Sequence, residues 1–226
     1  MVHDSVTRND LKILGTSSSV GGYFKDVKVT GECKFTGDVD CLKFSQTGEI
    51  KVDGNLRLQH MKITGECEVK GLINGASLRG QGQLTAGAGL RIEDIKLTGG
   101  IMVTGDCEAE ELLLTGIIEV SGLLNAGKLE LGLFGPCRAD AVGGSSISIK
   151  RSRTGALLRP GQGKKMSFQA RLIEGDQIEL QSTQAQTVRG GRVIIGTGCE
   201  IDTVEYRDTL EIHKSATVRN PVKLLR

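Results

Sequence analysis

The segment TGECKFTG at residues 30–37 returns as TGECEVKG at residues 64–71, so the offset between the two copies is 34. A finer repeat lies beneath. Gly31, Gly48, Gly65, Gly82, Gly99 and Gly116 follow one another at a spacing of 17, and 34 is twice the true period. Thr30, Thr47, Thr64, Gln81, Thr98 and Thr115 stand just before these glycines. Gly135 opens a seventh unit after a two-residue insertion.

Between the glycines, the apolar residues fall into columns. Two after each origin stand Cys33, Ile50, Cys67, Leu84, Ile101, Ile118 and Cys137. Four after it stand Phe35, Val52, Val69, Ala86, Val103, Val120 and Ala139. Eight after it come Val39, Leu56, Ile73, Leu90, Cys107 and Leu124. Four before it come Val27, Phe44, Met61, Leu78, Ile95, Leu112 and, in the seventh unit, Leu131. Polar positions alternate with these, which is the period of a strand with one face buried. Each unit therefore holds three short strands joined by corners. Such a unit buries its apolar faces economically by coiling, each strand pairing in parallel with its equivalent one turn later, at a rise of about 4.8 Å. The predicted fold is all-β, a single-chain β-solenoid in the form of a triangular parallel β-helix. A helical reading fails, because a 3.6-residue period cannot hold apolar residues at alternate positions unit after unit.

Composition agrees. Gly reaches 32 residues while Pro is only 3, Trp is absent and aromatics make up 3%. That balance, with plentiful aliphatics, suits short strands and tight corners and disfavours collagen or disorder. The formal charge of +2 gives no global attraction to nucleic acid, and no nucleic-acid partner is expected. No apolar run is long enough for a spanning helix, and the first ten residues lack the pattern of a signal peptide, so a cytoplasmic location is expected.

The repeat weakens after SISIK (146–150), and residues 151–168 break the register. Alternating pairs resume at Ile178 and Leu180, Val193 and Ile195, and Cys199 and Ile201, with Val193 and Leu210 again one full period apart. The expected organisation is a tail or cap over 1–22, rungs over 23–150, a basic excursion over 151–168, further rungs over 169–218 and a tail over 219–226.

The units VKVTGECKFTGDV, MKITGECEVKGLI and IKLTGGIMVTGDC, with the late VIIGTGCEIDTVEY, resemble the bactofilin family, the polymer-forming bacterial cytoskeletal proteins, in its long two-part Gram-positive type. The resemblance covers most of residues 23–218. It implies a right-handed coil and end-to-end polymerisation without nucleotide into filaments. These would scaffold cell-shape, cell-wall or motility machinery through recruited proteins. The chain differs from many family members in its scarcity of Pro and its mid-chain basic insertion.

Physics supplies a separate motive for polymerisation, since the first and last turns of a solenoid expose unpaired backbone groups and a cut core. The partner expected first is therefore another copy of the chain. Cys33, Ile50, Cys67, Leu84, Ile101 and Ile118 are expected to form a core ladder. Cys33 and Cys67, two turns apart, would be about 9.6 Å from each other, beyond disulfide reach. The six cysteines are read as small buried hydrophobes. No catalytic, cofactor or metal residues are assigned, and the chain is not expected to be an enzyme. From Lys150 to Arg171 there are seven bases and no acid. Arg151, Arg153, Arg159, Lys164 and Lys165 make this a candidate contact with an anionic membrane surface or a protein partner, against the plainer reading of a solvated loop. The column Lys28, Lys62, Arg79 and Lys96 is read as a solvated face. Two rival functions are a hexapeptide-type solenoid acyltransferase, which needs strict six-residue steps and an interface His, and a soluble adaptor that does not polymerise.

Overall fold

Alternation of inward and outward side chains leaves each strand's backbone groups to be satisfied by the turns above and below. The computed structural model describes residues 7–152 and 166–225, and among them every turn between the first and the last is paired on both sides. They form one sheet of 12 strands in sequential order. The strands are β1 (Asn9–Ser19), β2 (Gly22–Phe35), β3 (Val39–Val52), β4 (Leu56–Val69), β5 (Ile73–Ala86), β6 (Leu90–Val103), β7 (Cys107–Leu133), β8 (Pro136–Arg151), β9 (Ser167–Leu180), β10 (Thr183–Ile195), β11 (Glu200–Ile212) and β12 (Thr217–Lys223). Every pairing is parallel and joins neighbours in the chain. This is a β-solenoid.

From β2 to the first part of β7, each residue lies over the one a full period later. The expected core ladder is present in full: Cys33, Ile50, Cys67, Leu84, Ile101 and Ile118 are successive partners and all are buried. Two further inward columns add to those read from the sequence. Val29, Gln46, Ile63, Gly80, Leu97 and Leu114 form one; Cys41, Leu58, Gly75 and Ile92 belong to the other. Six columns, two on each of three faces, complete the core. Gln46 is the polar intruder: its Nε2 donates to the Glu66 carbonyl at 2.9 Å, while its buried Oε1 has no partner. An orphaned acceptor of this kind costs about 1–3 kcal/mol.

The Thr-Gly corner is fixed by contact. Gly65 has φ 118°, and a Cβ there would sit 2.2 Å from the Gly48 carbonyl oxygen; at Gly82, with φ 136°, it would sit 1.9 Å from that of Gly65. Both the backbone conformation and the space exclude a side chain. The hydroxyls of the Thr column make no hydrogen bond within the described residues.

The insertion before Gly135 is also present, with one correction. Lys128 pairs with Glu111 and Gly132 lies against Thr115, each at an offset of 17, whereas Val120 faces Ala139 at an offset of 19. The extra residues therefore fall after Gly132. Leu129, not Leu131, takes the place beside Leu112, and Leu131 follows Leu114.

The coil extends further at both ends than its predicted rungs. Within the expected N-terminal tail or cap, Asn9–Ser19 is a paired turn. At the other end, Asn220–Lys223 pair with Thr203–Tyr206. Across the basic excursion the columns continue. Cys137, Phe168 and Thr183 are successive partners, as are Ile147, Ile178, Val193 and Leu210.

Candidate functional site

A solenoid's distinctive surfaces are its two ends and its outer columns. β1 pairs only with β2 and β12 only with β11, so each presents one edge of unpaired backbone groups. The two ends differ chemically. At the N-terminal end the inward columns finish at Leu11, Ile13, Ser17 and Ser19, so half of this layer is hydroxyl. Arg8 covers the adjoining face, where its Nη1 donates to the carbonyls of Phe24 and Asp40, both at 3.1 Å, and meets the Asp40 carboxylate at 2.8 Å. Its guanidinium also lies 5.7 Å from the Tyr23 ring centroid. At the C-terminal end the columns finish at Leu210, Ile212 and Val218, with Pro221 over Val204 and Lys223 over Tyr206 on the remaining face. Ile212 is 44% exposed, whereas Ile195 beneath it is fully buried. Both layers keep an open strand edge; the N-terminal one is the more polar and the C-terminal one the more apolar.

The basic excursion is only partly placed. Arg151 ends β8, and its Nε donates to Ser182 Oγ at 2.5 Å, a tie across the corner into β10. Arg153, Arg159, Lys164 and Lys165 lie outside the described residues. Of the five bases, Arg151 is thus the one placed, in a structural bond.

The six thiols are free and buried. Burial pushes Cys41, Cys67 and Cys107 up to about 12 and Cys137 to about 11, with Asp40, Glu68, Glu108 and Glu119 adding to the effect in turn. Thiols so far above the usual range are poor nucleophiles at neutral pH. Among the described residues no group of three His, Cys, Asp or Glu could hold a metal ion, and no helix is long and apolar enough to cross a membrane.

Other corners carry side-chain staples. The Asn55 N–H donates to Asp38 Oδ1 at 2.7 Å, the Leu72 N–H to Asn55 Oδ1 at 2.9 Å and the Leu123 N–H to Asp106 Oδ1 at 2.8 Å. Asp38, Asn55 and Asp106 all stand seven residues after a corner glycine, a spacing already visible in the sequence. A shallow apolar groove runs beside the glycine corner, lined by Gly82, Gly99, Met102, Gly116, Ile117 and Phe134.

No protein-family model matches the chain, and no solved structure matches it. Among curated proteins, the uncharacterized protein YhbE of Bacillus subtilis is 44% identical over 232 aligned positions, which cover 95% of this chain and 98% of YhbE. The chain belongs to the YhbE family. The uncharacterized protein YhbF of the same organism is 39% identical over 104 positions, 46% of this chain and 42% of YhbF. Neither relative's name specifies a ligand or partner, so the function of this YhbE-family chain has to be argued from its surfaces.

Proposed function

We propose that this YhbE-family chain is a structural, non-catalytic protein that assembles end to end, without nucleotide, into filaments that scaffold cell-shape, cell-wall or motility machinery in the cytoplasm. The observation that carries the reading is the C-terminal layer, where Leu210, Ile212 and Val218 end their columns beside an unpaired strand edge. Exposed strand edges template pairing with another chain unless they are blocked, and end-on contact that does not close builds an open filament. The resemblance of the repeat units to the bactofilins points the same way. Many acids and bases of the outer faces are paired turn to turn, an arrangement suited to a solvated shaft rather than a reaction centre. In this reading the basic excursion attaches the filament to anionic membrane or to the proteins it recruits.

The test is assembly of the purified full chain without ATP or GTP, followed by light scattering and negative-stain electron microscopy. Filaments are expected, and Ile212→Lys together with Val218→Lys should abolish them while leaving the circular dichroism spectrum unchanged. A wild-type chain that stays monomeric over a range of salt and protein concentrations contradicts the reading and favours a non-polymerising adaptor.

A further inference from the structure

The outer columns of the regular turns carry a second association surface. Lys12, Lys28, Ser45, Lys62, Arg79, Lys96 and Leu113 are successive register partners on one outer face. Around the glycine corner, on the next face, Glu32, Glu49, Glu66, Gln83, Gly100 and Ile117 form another file. Elsewhere the molecule pairs its charges between turns, as in Lys128 with Glu111, Arg138 with Glu119 and Arg219 with Asp202. In these two files only Arg79, with Asp94 of the next turn, and Glu49, with Lys51 of its own strand, are paired. Lys12, Lys28, Lys62 and Lys96 are exposed and have no ion-pair partner among the described residues, and the same holds for Glu32 and Glu66. Like charges stacked at the strand spacing of about 4.8 Å repel each other. The isolated chain therefore carries two files of opposite sign in which Lys12, Lys28, Lys62 and Lys96 on one side and Glu32 and Glu66 on the other are left uncompensated.

We propose that these two files meet between copies: the basic face of one chain lies against the acidic face of a second, side by side, parallel and in register. The axial spacings of the two files match. A partner with the same axial repeat makes its contact again at every turn, and a second copy has that repeat by identity. In-register alignment sets each residue of the first file opposite the residue four further on in the partner. Lys28 then meets Glu32, Lys62 meets Glu66, Ser45 meets Glu49, Arg79 meets Gln83, and Leu113 meets Ile117. No like charges oppose each other and the apolar pair falls together. An antiparallel alignment would put Leu113 against Glu32 and Lys28 against Ile117, and a slip by one turn would set Lys96 against Ile117. This lateral contact is separate from the end-on contact and goes beyond the filament reading.

The experiment mixes two single variants of the full chain, Ser45→Cys and Glu49→Cys, with a short bis-maleimide at low salt. A cross-linked dimer is expected from the mixture and not from either variant alone, because the native thiols are buried. Adding Lys28→Glu and Lys62→Glu to the Ser45→Cys chain should lower the yield about tenfold, the scale of several exposed ion pairs lost together. Adding Glu32→Lys and Glu66→Lys to the Glu49→Cys chain should then restore it. Yield should fall as salt shortens the screening length. Absence of the dimer from the first mixture overturns the proposal, as does a reversed pair that fails to restore it. Binding of the basic face to vesicles of acidic lipid, without the cross-link, would assign that face to a membrane and likewise overturn it. Light scattering on the Ile212→Lys, Val218→Lys chain reads end-on assembly separately, so loss of filaments and loss of lateral contact are distinguishable.

Discussion

From β2 to the first part of β7 the offset between register partners is 17 without exception, whereas the later steps differ from pair to pair: 18 or 19 from β7 to β8, 31 across the basic excursion, 15 from β9 to β10, and 16 or 17 from β10 to β11. Both regions share one continuous core. The contrast teaches that the core does not set the step; the corner does. In the first region the stacked corner glycines leave no room for a Cβ, so any change of length there would break a column of backbone contacts. In the second region the corresponding corner is looser: it passes through Ser182, at φ 50° and tied to Arg151, and then Gly198, at φ 70°, where a Cβ would lie 3.4 Å from Ser182 Oγ and not against a backbone oxygen. A tight glycine column passes instead to another corner, through Gly144 and Gly175, and relaxes at Gly190, where a Cβ would lie 3.0 Å from the Gly175 carbonyl oxygen.

The largest effect that could break this comparison is a side chain in the strict corner. Gly82→Ala is expected to cost about 4 kcal/mol or more, or to prevent folding, because it meets both a forbidden φ and a backbone oxygen. Gly190→Ala should cost only about 1–2 kcal/mol, since its neighbours include movable side chains. Equal urea midpoints for the two variants would remove the distinction between the regions.

Next in size is the core. Leu84→Ala, in the middle of the ladder, should cost about 2–5 kcal/mol. Ile212→Ala in the last turn should cost less than about 1 kcal/mol, since the side chain is already 44% exposed. Similar losses at both sites would mean that the C-terminal layer is covered in the isolated chain.

Smaller per group is the alkaline effect. The buried thiols have folded pKa values above their unfolded value of about 8.5, so their contribution is intact below that pH and is lost as pH rises towards about 12. Each such thiol should add up to about 1.4 kcal/mol of destabilisation per pH unit across that window. Cys33, Cys41, Cys67 and Cys107 lie in the regular turns and Cys199 in the late ones, so alkaline unfolding should start in the regular turns. Cys67→Ala should flatten the slope by about one thiol's share, and an unchanged slope would count against its burial. The smallest expected effects are outside. Asp106→Ala should cost about 1 kcal/mol through loss of its staple to Leu123, and Arg219→Ala within about 0.5 kcal/mol.

The regular turns were legible in the sequence because their signal is positional: Val52 over Val69, Leu84 over Ile101. The column through Val29 and Ile63 was hidden by Gln46 and Gly80, which interrupt its apolar run, and the column of Cys41 and Leu58 by Gly75. Leu129 and Leu131 were interchangeable on paper, because both alternate inward and only the position of the inserted residues separates them. β1 escaped notice because Ser17 and Ser19 occupy inward positions where the repeat elsewhere has apolar residues; the end of a solenoid no longer needs an apolar layer on its outer side. For the same reason Arg8 as a cap carried no periodic mark. The contact proposed for the basic excursion rests on composition alone, and four of its five bases fall outside the described residues.

Winding and stacking are tested together by cryo-electron microscopy of the chain assembled without nucleotide. Filaments should show a strong layer line at about 4.8 Å along their axis and a subunit repeat of about 58 Å, the rise of 12 paired strands. Filaments whose spacing of about 4.8 Å lies across the axis, or a preparation that holds only dispersed monomers, would contradict the account.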